Sequence, residues 1–119
     1  MARDAPSIDA YGQGGFRLSG VWRAGSVLIL DDEARDWPVA DVSALTVDSL
    51  SAVIGAGPRG AEFLLLGMGL RNALPPREVR EAVRAAGLGL EFMDTPSAAR
   101  TYNVLTSEGR RVAAALIAV

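Results

Sequence analysis

The chain has 119 residues, a formal net charge of −2 and a sequence pI near 5.0, and its twelve basic residues are all arginines. Because histidine, cysteine and lysine are absent, a histidine base, a thiolate nucleophile, a Schiff-base lysine and a zinc site built on Cys or His are all excluded. The acidic balance and the dispersed arginines also argue against nucleic-acid binding.

The length is typical of one domain. Residues 1–10 combine Asp, Pro and Ser with few apolar side chains, so we expect a flexible N-terminal arm followed by a single α/β domain over residues 11–119. The start of the chain lacks the apolar core of a signal peptide, which predicts a cytoplasmic protein. The apolar runs are shorter than the ~20 residues that span a bilayer. We therefore expect no direct membrane insertion, and contact with the inner membrane only through a partner.

The first predicted elements are short strands over residues 16–18 and 21–23, joined by Ser19-Gly20 in a hairpin. The apolar run Ser26–Leu30 predicts a buried strand that ends at the acidic triplet Asp31–Glu33. Without further oxygen ligands at loop spacing, the triplet is a poor metal site and predicts a solvated turn.

An irregular, charged connection follows the triplet and contains Trp37. A tryptophan in such a connection either plugs the side of the core or anchors a partner, and we favour the plug. Thr46 is suited to cap a helix over residues 47–54, with Gly55 ending it.

The run Glu62–Leu66 is continuously apolar after its first residue, which is typical of a central strand covered on both faces. Pro75 and Pro76 open a helix with one apolar stripe, and Gly87 closes it. The next strand, over residues 88–93, completes a β-α-β unit, which normally joins parallel strands.

Thr95 before Pro96 predicts the start of a helix that runs to about Leu105. The closing segment, residues 110–119, is alanine-rich and could form a helix, but its position after a turn and its apolar end suit a final strand. Together the elements predict an α/β fold: a layered arrangement with a mixed, partly parallel central sheet, helices packed on it, and an N-terminal β-hairpin.

Two turns from strand to helix are candidate binding segments. Gly67 and Gly69 flank the first turn, and Arg71 follows it; Thr95 lies in the second. The carboxyl ends of parallel strands meet at one sheet edge, where backbone N–H groups can bind an anion, so the two turns could line one crevice. The alternative for the glycines is a sharp turn that needs a permissive backbone.

The helix after Thr95 adds three further candidates for this crevice. Arg100 and Asn103 are three residues apart and share a helical face, whereas Tyr102 lies on the apolar face. The alternative assigns Thr95 to helix capping, Tyr102 to packing, and Arg100 to solvent or to a structural carboxylate. The sequence shows no catalytic acid/base pair, no metal site and no cofactor signature.

A broader pattern covers nearly the whole chain. It consists of Tyr11–Phe16, the strand start Gly25-Ser26, Trp37, Leu66–Gly69, Met93–Ala98, Thr101–Asn103, Glu108–Arg110 and Ala113–Ile117. With these residues the chain resembles a family of small single-domain proteins of bacteria and archaea, whose mitochondrial member is an assembly factor for respiratory complex I. The resemblance implies a layered α/β fold with a mixed sheet and no established catalytic activity. For the mitochondrial branch, it implies an assembly role exerted through protein contacts.

Our leading hypothesis is a non-enzymatic protein-interaction module that assists assembly of a membrane respiratory or translocation complex, with a protein partner still to be identified. The alternative is a small-anion or metabolite-binding protein, or a weak enzyme, that uses the crevice between the Gly67–Gly69 turn and the helix starting at Thr95. A third hypothesis is a homo-oligomer whose apolar surface is a subunit interface.

Overall fold

Eight strands in two sheets and three α-helices make up the described part of the computed structural model, residues 5–119. The strands are β1 (Ile8–Gly12), β2 (Gly15–Leu18), β3 (Val21–Ala24), β4 (Val27–Leu30), β5 (Glu33–Asp36), β6 (Phe63–Gly67), β7 (Gly89–Met93) and β8 (Val112–Leu116). The α-helices are α1 (Ser51–Ala56), α2 (Arg77–Ala85) and α3 (Thr95–Ser107), and short 3₁₀ segments cover Val42–Ala44, Asp48–Leu50 and Gly57–Arg59.

The larger sheet is mixed and has the strand order β5-β4-β8-β6-β7. β4 is antiparallel to both β5 and β8, whereas β6 is parallel to both β7 and β8. The strand predicted over Glu62–Leu66 is observed as β6, one residue later. Its predicted central position is confirmed, since Leu64 pairs with Leu90 on one side and with Ala113 on the other. The parallel β6-α2-β7 unit and the final strand are confirmed as well.

The smaller sheet is antiparallel, with the order β1-β2-β3. Its second hairpin turns at Ser19-Gly20, as predicted, and its first at Gln13-Gly14, and all four turn residues have positive φ. Two-residue turns of this kind match the natural twist of the strands they join. The N-terminal hairpin is therefore confirmed, with one additional strand beside it.

That additional strand, β1, lies partly inside the expected arm of residues 1–10. Ile8 is buried, and it pairs with Leu18 of β2. Its backbone also bonds to Asn103 of α3, so tertiary contacts hold a segment whose composition suggested a loose arm. Residues 1–4 lie outside the described residues.

The core has two parts, one on each face of the larger sheet. Leu64 and Leu66 of β6 pack with Val79 and Val83 of α2, whereas Leu65 lies in the other cluster. The second cluster combines buried residues of α3 and of the smaller sheet: Ile8, Phe16, Leu18, Ala98, Ala99 and Tyr102. Alternate residues of one strand thus reach opposite layers, which explains the continuous apolar run of β6.

Three details between β4 and β6 differ from or extend the sequence predictions. Residues 33–36, expected to be irregular, form strand β5. The helix expected over residues 47–54 begins as a 3₁₀ turn, and Gly55 does not end it, since α1 continues to Ala56. Thr46 does cap this turn: its Oγ1 accepts from the N–H of Ser49, and the Ser49 hydroxyl accepts in return from the N–H of Thr46.

Trp37 plugs the core, as favoured from the sequence. It is only 4% exposed, and its indole N–H donates to the carbonyl oxygen of Ser49 over 2.7 Å. The bond satisfies the polar end of a buried ring. Trp37 is therefore inaccessible to a partner.

Candidate functional site

The two predicted turns meet at the carboxyl ends of β6 and β7. The N–H of Thr95 donates to the carbonyl of Gly69 over 2.7 Å, and the N–H of Gly69 donates to the Thr95 hydroxyl over 2.9 Å. That hydroxyl in turn donates to the carbonyl of Ile117 over 2.7 Å. The side chain of Thr95 is completely buried, so one hydroxyl joins three segments of the chain.

Direct contact fills the space expected for a crevice. A Cβ atom on Gly67 would lie 2.9 Å from the Thr95 hydroxyl and 2.9 Å from the Leu116 side chain, which is closer than side chains approach. Gly69 has φ of +99°, a conformation that favours glycine. Both glycines therefore serve a close-packed junction between β6, α3 and the end of β8.

The remaining predicted residues lie around this junction but have other contacts. Arg71 and Arg100 are exposed, and the Arg100 guanidinium lies 3.3 Å from the Ser97 hydroxyl and 3.5 Å from that of Tyr11. Tyr102 is fully buried in the core. The structure thus brings Gly67, Gly69 and Thr95 together and gives each of the others a separate environment.

Asn103 holds the first strand against α3. Its side-chain oxygen accepts from the N–H of Ile8, and its side-chain N–H₂ donates to the carbonyl of the same residue, both over 2.8 Å. The Asn103 side-chain amide thus bonds to both backbone groups of Ile8, as the backbone of a neighbouring strand would. Asn103 is accordingly a structural residue of the β1 edge.

The N-cap of α3 is Asp94 rather than Thr95. Its carboxylate accepts from the N–H of Ser97 over 2.8 Å and from the Ser97 hydroxyl over 3.0 Å. The backbone hydrogen bond from Ser97, followed by the one from its hydroxyl, lowers the pKa of Asp94. Both residue types suit a helix N-cap, but Asp at the cap leaves Thr95 free to turn inward, which the sequence did not show.

A groove that sequence reasoning missed lies on the α3 side of β7. It has a volume of about 600 Å³ and is lined by Glu62, Phe63, Gly89, Leu90, Glu91, Thr101, Leu105 and Arg110. Arg110 occupies one end, since its guanidinium lies 3.4 Å from the Glu62 carboxylate and 5.7 Å from the centre of the Phe63 ring. The sequence offered one signal for this groove: Gly89, which has no side chain, lies near the start of a predicted strand.

Several large apolar side chains are exposed elsewhere. Leu70 and Leu74, in the loop before α2, are exposed by 78% and 62%. Val21 and Trp22 lie on β3, at the edge of the smaller sheet, and Val104 lies on α3. Aromatic and aliphatic groups at an edge strand are typical of contact surfaces.

Neither a metal cluster nor a membrane span is found within residues 5–119. No three acidic side chains there converge in a way that could hold a metal ion. None of the helices in the same range has the length and apolar character needed to cross a bilayer.

The protein belongs to the α/β class: a mixed five-stranded sheet lies between two layers, which consist of helices and the smaller sheet. This fold is already known from solved structures. A crystal structure of an outer membrane protein from Bartonella henselae superposes with a TM-score of 0.91 at 32% identity, covering 100% of this chain and 99% of that one. The chain belongs to the family described as protein of unknown function (DUF498/DUF598), whose model matches residues 8–117.

Two curated relatives extend the comparison. An uncharacterized protein of Rhodobacter capsulatus is 43% identical over 110 residues, which cover 92% of this chain and 82% of the relative. The NADH dehydrogenase (ubiquinone) 1 alpha subcomplex assembly factor 3 of Danio rerio is 37% identical over 110 residues, which cover 92% of this chain. The match spans 63% of the length of that assembly factor.

Proposed function

We propose that this chain is a non-enzymatic protein-interaction module that assists the assembly of a membrane-bound respiratory complex. The observation that carries the proposal is the 37% identity to a NADH dehydrogenase assembly factor over 92% of the chain. The relatedness supports an assembly-related role, and the particular complex is part of the proposal. Because a fold alone does not define a function, the surface of this chain has to supply the contacts.

The distribution of side chains supports action through binding rather than through chemistry. Histidine, cysteine and lysine, which commonly serve as bases or nucleophiles, are missing from the sequence, and the Thr95 hydroxyl is buried between backbone groups. The exposed groups include Trp22 and two loop leucines. A partner would bury such groups, and it would also hold the module at the inner membrane.

Deletion of the gene in its native cell tests the proposed role. We expect the NADH dehydrogenase complex to decrease and its partial assemblies to accumulate on native gels, and we expect a plasmid copy of the gene to restore the complex. A second respiratory complex resolved on the same gel is the control. Normal amounts of assembled NADH dehydrogenase in the deletion strain would contradict the proposal.

The alternative of an anion or metabolite site stays a prediction. It requires space between Gly67 and Thr95, where the structure has direct contacts. Thermal shift measurements with phosphorylated and carboxylated metabolites test it, since a ligand at a hundred times its Kd adds about 2.7 kcal/mol of stability. A shift that Arg100→Ala abolishes would support this alternative. Light scattering at several protein concentrations tests the homo-oligomer.

A further inference from the structure

Strand β7 presents an open hydrogen-bonding edge. Within residues 5–119 it is the last strand of the larger sheet and pairs only with β6. The N–H of Gly89 and the carbonyl of Met93 bond toward β6 and the turn after it. Because alternate residues of a parallel strand direct their backbone groups to opposite sides, Leu90 and Phe92 direct theirs outward. Nothing in residues 5–119 bonds to these outward groups.

The groove described above lies beside this edge. Gly89 and Glu91 face the α3 side of the sheet, since they pair with Phe63 and Leu65. Gly89 has no side chain to cover the Phe63 side chain next to it, and Leu105 of α3 forms part of the opposite wall. A strand added to β7 would place one side chain beside Gly89, and an apolar group there would cover Phe63 and Leu105.

The negative charge of Glu91 at this edge favours a basic side chain at the next position on the same face of an added strand. Glu91 follows Gly89 by two residues on the same face, is exposed, and has no ion pair among the described residues. Glu62, in contrast, is already paired with Arg110. A basic side chain two residues from the apolar one would lie beside Glu91, where opposite charges on neighbouring strands attract.

We propose that β7 binds an extended segment of a protein partner as a sixth strand, with an apolar residue beside Gly89 and an arginine or lysine beside Glu91. This mode of strand addition takes its affinity from backbone hydrogen bonds and its specificity from alternate side chains. The proposal rests on the proposed function, because it identifies the surface through which the module binds a partner. A second copy of the chain fits less well in the antiparallel register that pairs Leu90 with the partner copy's Phe92, since this register opposes two Glu91 carboxylates.

Fluorescently labelled nine-residue peptides, with threonine at every second position, serve as probes. Two carry phenylalanine two residues before or two residues after arginine, because the added strand could run in either direction, and two matched peptides carry glutamate in place of arginine. We expect an arginine probe at saturation to slow hydrogen exchange at the amides of Leu90 and Phe92 about tenfold. Fluorescence anisotropy then measures the affinity for each probe.

A charge exchange tests the role of Glu91. We expect Glu91→Arg to weaken binding of the arginine probe about tenfold and to strengthen binding of the glutamate probe. Glu78→Arg makes the same charge change on the exposed face of α2, and we expect it to leave both affinities unchanged. Circular dichroism confirms that both variants are folded.

Three results would overturn the proposal. The first is unchanged exchange at Leu90 and Phe92 with every probe, and the second is equal effects of the two charge reversals. The third is protection that rises with protein concentration alone, which would identify a second copy as the occupant. Failure of the proposed function has a different readout: normal assembly in the deletion strain, with the arginine probe still bound at β7, would remove the assembly role and keep the binding edge.

Discussion

The Thr95 hydroxyl is a completely buried polar group with two backbone partners. It accepts from the N–H of Gly69 and donates to the carbonyl of Ile117, both buried. A buried backbone group that loses its partner costs about 1–3 kcal/mol. The junction therefore depends on a single oxygen atom that valine, although similar in shape, lacks.

We predict that Thr95→Val lowers the free energy of unfolding by about 2–4 kcal/mol, because it leaves two buried backbone groups unsatisfied. Urea denaturation followed by circular dichroism measures the loss. Thr101→Val is the matched control, since the Thr101 hydroxyl lies 3.5 Å from the sulfur of Met93 and is only half-buried. We expect the control to cost less than about 1 kcal/mol. Equal losses in the two variants would contradict the role assigned to Thr95.

Sequence reasoning could predict that the Gly67 turn and Thr95 meet, because parallel strands place their carboxyl ends at the same edge. It could not predict that they touch. The contact depends on Leu116 and Ile117, which belong to a segment about fifty residues from the glycine turn. Such long-range packing leaves no local pattern, so a close-packed junction and an open crevice look alike in the sequence.

At the scale of the elements, the N-cap of helix α3 contributes to the pH dependence of the protein's stability through the carboxyl group of Asp94. The Ser97 backbone and hydroxyl bonds lower the pKa of Asp94 in the folded protein relative to the unfolded chain. A carboxyl group with a lowered folded-state pKa stabilises the fold above its ordinary pKa of about 4. This contribution is lost as the pH falls through that value and then through the lower folded-state pKa.

We predict that Asp94→Asn reduces the loss of stability on acidification, because asparagine caps helices without titrating. Between pH 7 and 5 the two proteins should have similar urea midpoints, and below about pH 4 the midpoint of the parent should fall more steeply. The difference between the two curves isolates Asp94 from the other carboxylates. Parallel curves down to pH 3 would contradict this assignment.

The Asn103 amide makes two hydrogen bonds that join the β1 backbone to α3. We predict that Asn103→Ala accelerates hydrogen exchange at Ile8, which loses its partner, while exchange at Leu65 in the central strand changes less. The free energy of unfolding should fall by about 1–2 kcal/mol. Asn72→Ala, in the exposed loop before α2, is the control and should leave both amides unchanged. Equal acceleration at Ile8 and Leu65 would instead indicate global destabilisation.

The strands that the sequence did not predict, β1 and β5, lie at sheet edges, whereas the central strands were predicted. β5 has the sequence Glu-Ala-Arg-Asp and no buried residue, so it lacks an alternating apolar pattern. It forms because the preceding turn places it beside β4, with which it pairs. β6 and β8 are buried through nearly their whole length, and their apolar runs are therefore visible in the sequence. Strand β1 is held by pairing with β2 and by Asn103, ninety-five residues from Ile8.

For the whole molecule, the position of β8 decides whether the sheet is continuous. β8 lies between β4 and β6 and pairs with both. Its residues Ala113, Ala114 and Ala115 are completely buried, so both layers of the core pack directly against it. Removing this strand separates the β4-β5 hairpin from the β6-β7 pair.

We predict that a chain ending at Arg111 does not fold, because it exposes the apolar faces that β8 joins. A chain ending at Ile117 keeps β8 and the hydrogen bond from the Ile117 N–H to the Gly67 carbonyl, and it should keep a cooperative transition. Thermal unfolding followed by circular dichroism compares the two. A cooperative transition in the shorter chain, at a Tm close to that of the full chain, would contradict this prediction.

The central position of β8 also has a consequence for synthesis in the cell. Until residues 112–116 have left the ribosome, β4 and β6 have no strand between them, and the leucine faces of both remain open to water. The nascent chain therefore passes through a stage in which β4 and β6 both lack the strand that joins them. During that interval, chaperones that bind extended apolar segments would compete with folding.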